Sequence, residues 1–162
     1  MSELELPEFI QEQIDELKKK NELKRSRLSK LASIFARTNS VLTGKRISVH
    51  VVEQAEISAP AYSSTTEMWL NVPHIKDDFS ARSLISLQGL DFHELSHISF
   101  TPRTGHALPT WVKENNLWQS FNALEDMRIE NLMVAKLPSV ASWLTTTTVS
   151  YTHLRAHETR ED

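Results

Sequence analysis

The chain has no cysteine among its 162 residues. That excludes a disulfide framework and a thiolate metal site, so any metal must be held by His, Asp or Glu. It also lacks an apolar run near the roughly 20 residues that span a bilayer. Its start, Met1-Ser2-Glu3-Leu4-Glu5, is the reverse of the basic n-region of a signal peptide. The cytoplasm is the expected compartment, with no membrane partner. Nor is there an excess of basic charge: 18 Lys+Arg stand against 21 Asp+Glu, a formal net charge of -3. No net positive field is available to hold nucleic acid. What is present, 40% hydrophobic and 24% charged residues, is a globular composition, and the length fits one domain with a sizeable core.

Along the chain, a helical prefix over 1–44 precedes a mixed centre and a helical end. Ile10, Ile14 and Leu17, then Leu28, Leu31 and Phe35, repeat at helical spacing, with Pro7 near a first turn. Two helices, or one bent one, are expected from Pro7 to Arg37. The basic run Lys18-Lys19-Lys20 and Lys24-Arg25-Ser26-Arg27 reads as a solvated helix face. Ile47 to Val52 alternates with β-branched residues and reads as a strand, as does Glu67 to Val72, stopped by Pro73. Ser80 caps an expected helix over Ala81 to Phe100, ended by Thr101-Pro102; Thr110 caps another over Trp111 to Leu137, ended by Pro138. The second region, 45–148, is the expected functional domain. From Val149 to Thr159, Val-Ser-Tyr-Thr-His-Leu-Arg-Ala-His-Glu-Thr resembles one reading frame of an adapter used in transposase-based sequencing libraries. The tail 149–162 is therefore set aside with its His153 and His157, and the domain is expected to be truncated there.

One string carries chemistry. His93-Glu94-Leu95-Ser96-His97 lies within the helix over Ala81 to Phe100, where i,i+4 spacing puts two imidazoles on one face, able to chelate one zinc ion. Glu94 sits beside them as a general base for a zinc-activated water, the chemistry of metal-assisted amide hydrolysis. Apolar neighbours Leu84, Leu87, Leu90, Phe92 and Phe100 would bury the motif, where unpaired histidines are costly without a metal. The strand Glu67 to Val72 is placed as an edge that could pair with an extended peptide substrate. Asn122-Ala123-Leu124-Glu125-Asp126-Met127-Arg128-Ile129-Glu130 follows, its acidic cluster beginning 28 residues past His97, and offers a third ligand.

The two motifs together resemble the gluzincin-like zinc metallopeptidases. They are similar, more narrowly, to the metallopeptidase domains found beside von Willebrand factor A domains, in phage proteins and in cobaltochelatase-like subunits. The resemblance covers roughly Ile47 to Leu137. It implies zinc held by His93, His97 and an acidic residue of the later helix, with Glu94 as general base and a peptide or protein as substrate. Gluzincins place an Asp four residues after their glutamate ligand, but Ile129 stands there after Glu125, whereas Asp126 is followed at that interval by Glu130. Glu125 is favoured because it projects towards Phe121 and Leu132; Asp126 is the alternative, and the other carboxylates would orient imidazole N–H groups.

His50, His74 and His106 read as surface or satisfied histidines, His106 alone being kept as an auxiliary candidate. Arg128 is expected to pair with Glu125 or Asp126. Trp69, Trp111, Trp118 and Phe121 read as core or groove wall, since no basic run interleaves with them. The expectation is an α+β, zincin-like metallopeptidase domain, with a short sheet packed on the motif helix and a second motif helix. Two other readings compete: an inactive zincin-like binding or assembly module of a larger protein whose C-terminal domain is missing, and a helical interaction protein in which the motif is coincidence.

Overall fold

The computed structural model describes residues 7–102, 112 and 114–147. It is an α+β arrangement of helices and a small mixed sheet. Helix α1 runs unbroken from Glu8 to Thr43, further than the expected end at Arg37. Pro7 starts it, its carbonyl accepting from Ile10 N and Gln11 N, and Gly44 ends it at φ +66°, a left-handed cap that a side chain would resist. Its two halves differ: Leu17 and Leu23 are exposed, while Lys24, Leu28, Ala32, Phe35 and Asn39 form a buried stripe. Leu28, Ala32 and Phe35 share one core with Ala61, Leu70, Val72, Ile75, Leu87 and Leu90, so the helical prefix and the region beyond it pack together.

The sheet has the order β1-β3-β2, with β1 (Ser48–Val52) parallel to β3 (Glu67–Asn71) and β2 (Ala61–Ser63) antiparallel to it. This corrects the placing of Glu67 to Val72 at an edge: β3 is the central strand. The three residues of β2, directly after Pro60, are too few to show a period of two in the sequence, yet they occupy the edge that packs on the motif helix. Alternation sorts the faces. Met68 and Leu70 are fully buried, each worth about 1.5–3 kcal/mol of burial, whereas His50, Trp69 and Tyr62 stack across the three strands. The β1–β2 connection is tied down by buried Asn71. Its Nδ2 donates to the carbonyls of Gln54, Ile57 and Ala59, and its Oδ1 accepts from Gln54 N.

Helix α2 spans Ala81–Phe100, as expected, with Ser80 Oγ accepting from Ser83 N at its start. Helix α3 spans Trp118–Lys136. The expected helix from Trp111 is interrupted before Trp118, because Asn116 adopts φ +54°, a left-handed conformation that asparagine tolerates better than most residues. Its expected cap and start, Thr110 and Trp111, lie outside the described residues, as do His106 and the tail 149–162. After α3 a short 3₁₀ turn, Pro138–Val140, leads into a helical stretch over 141–147. Val140 and Leu144 pack with Phe92, Leu95 and Met133 in a second core. Among the described residues, no helix is long and apolar enough to cross a membrane.

Candidate metal centre

Helix α2 is covered on two sides. Leu87 and Leu90 face α1 and the sheet, while Phe92 and Leu95 face α3 and the segment after it. His93 and His97 lie one turn apart in this setting, their rings 4.9 Å apart and nearly perpendicular. Across from them, α3 presents Asp126. Its Oδ1 is 3.2 Å from His97 Nε2 and 3.9 Å from His93 Nε2. Among the described residues, His93, His97 and Asp126 are the single group of three whose ligand atoms come together in this way. All three side chains are partly accessible, at 21%, 17% and 32% exposure, so a small ion and water can reach them.

The outward ring nitrogens are each fixed from behind. His93 Nδ1 is 2.8 Å from Glu130 Oε1, and His97 Nδ1 is 3.0 Å from Thr101 Oγ1. An Nδ1–H held by Glu130 leaves the Nε2 lone pair of His93 facing Asp126. Asp126 Oδ1 is buried and has no hydrogen-bond partner. With each ring neutral and its proton on Nδ1, the two Nε2 atoms and the orphaned carboxylate oxygen form an acceptor set without a donor, which suits a cation. The donor set, two nitrogens and one oxygen, suits zinc, and it leaves one tetrahedral position open. Burial works to lower the His93 pKa, but the Glu130 contact and the charges of Glu94, Asp126 and Glu130 outweigh burial and raise it, favouring positive charge on the ring itself. The site attracts positive charge.

Glu125, the favoured third ligand, is occupied elsewhere. Arg128 grips it with Nε and Nη2, both at 2.7 Å, and Thr101 Oγ1 donates to it at 2.9 Å. The Arg128 hydrogen bond, aided by Thr101, holds its carboxyl below the usual glutamate range. The side of α3 that meets α2 is marked by Ile129 and Met133, both buried, and not by Phe121 and Leu132, which are exposed. Asp126 shares that inner side at i+3 and i+7, and Glu130 at i+4. The spacing from Asp126 to Glu130 was the readable signal. Thr101, read from sequence only as a helix stop, is the site residue that was missed.

Glu94 is buried. Its main-chain oxygen lies 3.4 Å from Ser63 Oγ on β2, and its charge acts on His93 and on Asp91. His50 lies beside Glu67 and stacks on Trp69, and His74 ends the 3₁₀ turn Val72–His74; neither joins the cluster. Arg128 pairs with Glu125, as expected. No protein-family model matches the chain, and no curated protein or solved structure matches it either.

Proposed function

We propose that this domain is zincin-like and acts as a zinc-dependent metallopeptidase, with His93, His97 and Asp126 holding the metal and Glu94 as general base. The observation that carries the reading is the convergence of His93 Nε2, His97 Nε2 and the partnerless Asp126 Oδ1. When bound, zinc supplies Lewis acidity, polarising a carbonyl and bringing the pKa of its water to about 7. The chain's own residues do the rest. Glu94, adjacent to His93 and shielded from bulk solvent, takes the proton released by the attacking water on its carboxylate and returns it to the leaving amine. Glu130 keeps the His93 ring in one tautomer. The edge strand β2, next to α2, replaces β3 as the strand beside which an extended peptide would lie.

Elemental analysis of the dialysed full chain tests the metal, with one zinc per chain expected and His93→Ala abolishing it. Glu94→Gln tests the chemistry: the amide keeps the shape, so zinc stays, while peptide hydrolysis falls by about 10²–10⁴-fold. Zinc bound by the wild-type chain without any turnover would instead mark a binding or assembly module.

A further inference from the structure

The two metal-facing histidines are held from behind by different chemistry. Glu130 touches His93 directly. His97 meets a neutral hydroxyl, Thr101 Oγ1, which in turn contacts Glu125 Oε1, and Glu125 is clamped by Arg128. A hydroxyl has one proton to give. Glu125, in a two-bond grip from a guanidinium, is a carboxylate and can only accept. The Thr101 proton therefore goes to Glu125, and the hydroxyl oxygen is left to accept from His97. That makes Nδ1 of His97 a protonated nitrogen, so that in the neutral ring Nε2 is the bare nitrogen facing Asp126.

The same three residues also join two helices. Arg128 Nη2 donates to the carbonyl of Phe100 at 2.9 Å, one of the last α2 carbonyls, which have no partner within the helix. Thr101 closes the final turn, its N–H donating to His97 O. The α2 terminus carrying His97 is thus pinned to the α3 turn carrying Asp126.

We propose that Thr101, Glu125 and Arg128 are positioning residues that set the tautomer of His97 and hold its ring in register with Asp126. This rests on the reading of His93, His97 and Asp126 as a metal centre, and Glu125 is thereby an orienting group and not a ligand.

The test uses the full chain and two readouts. Long-range ¹⁵N–¹H spectra of the metal-free protein report which His97 nitrogen is protonated, and competition with a chromogenic chelator gives the zinc affinity. In wild type Nδ1–H is expected. Thr101→Val, which keeps the shape without the hydroxyl, should mix the tautomers and weaken zinc binding by about 10–100-fold; Thr101→Ser should restore both. Glu125→Gln should weaken zinc within the same range, whereas complete loss of zinc would make Glu125 a ligand and overturn the proposal. An unchanged His97 tautomer and unchanged affinity in Thr101→Val would also overturn it, as would a serine variant no better than the valine one. If wild type binds no zinc, the metal reading falls, while the tautomer spectra still decide whether the relay exists.

Discussion

Helix α2 buries ionisable groups on two sides, and they are treated differently. Towards α1 lies Asp91, fully buried, whose Oδ1 accepts from Asn39 Nδ2 at 2.7 Å and whose Oδ2 accepts from Gln88 Nε2 at 3.1 Å. Towards α3 lie His93 and His97, facing an Asp126 oxygen that accepts from nothing. The Asp91 side is not perfect, since Asn39 Oδ1 is also without a partner. That orphan is one atom of a neutral amide, a penalty of about 1–3 kcal/mol. The other is one corner of three converging acceptors. A buried carboxylate served by two donors is structural, whereas a carboxylate oxygen left without a donor beside two imidazole nitrogens is a candidate site.

The sharpest way to break this comparison is to change each aspartate to its isosteric amide. Asp126→Asn removes the charge of the proposed third ligand, so zinc affinity should fall by more than the roughly 10–100-fold that an orienting partner is worth. Asp91→Asn should leave zinc affinity within a few-fold of wild type. Chelator competition measures both. Equal losses in the two variants would erase the distinction between the faces.

A smaller effect comes from pH. Burial, offset in part by Asn39 and Gln88 and reinforced by the Glu94 charge, pushes the Asp91 carboxyl up from 3.8 to about 7. The folded state therefore binds a proton that the unfolded chain has released between about pH 4 and 7, so unfolding free energy falls as pH rises through that window. At 1.36 kcal/mol per unit, the full span is about 4 kcal/mol. Asp91→Asn should flatten this slope in denaturant titrations of the metal-free protein from pH 4 to 8. A wild-type slope matching that of the variant would show that Asp91 ionises in the fold as it does in water.

Much of α2 was legible because its signals are local. Ser80 caps it, Thr101-Pro102 ends it, and the i,i+4 histidines declare a face. The strands β1 and β3 were legible for the same reason. What escaped depends on neighbours distant in sequence. Nothing in Ala61-Tyr62-Ser63 shows that it will flank β3, and Asn71 looks like a strand end until it collects three carbonyls. The carboxylate that lies beside the two histidines is that of Asp126 and not the favoured Glu125, a difference of helix phase. The sequence pattern puts Phe121 and Leu132 on the inner side of α3, but they are exposed, and the contact stripe is the sparser Ile129 and Met133. One apolar residue more or less rotates such a reading by a full residue, enough to exchange Glu125 for Asp126.

The weakest expected effect tests a contact of α2 that involves neither charge nor metal. Gly89 sits where the 141–147 stretch comes closest, and a Cβ added there would run into the Thr147 side chain and the carbonyl of Trp143. Thr147 Oγ1 also donates to Ser86 O at 3.2 Å, tying the two segments together. In an isolated helix, glycine to alanine would stabilise by roughly 0.5–1 kcal/mol through backbone entropy. Packing opposes this, since overfilling a close contact costs about 1–3 kcal/mol. Packing should win, because one of the obstructing atoms is backbone and cannot rotate away. Gly89→Ala is thus expected to lower the melting temperature, and adding Thr147→Ala should recover only part of the loss, the Trp143 carbonyl remaining in the way. A higher melting temperature in the single variant would mean that residues 141–147 do not lie against α2 in solution.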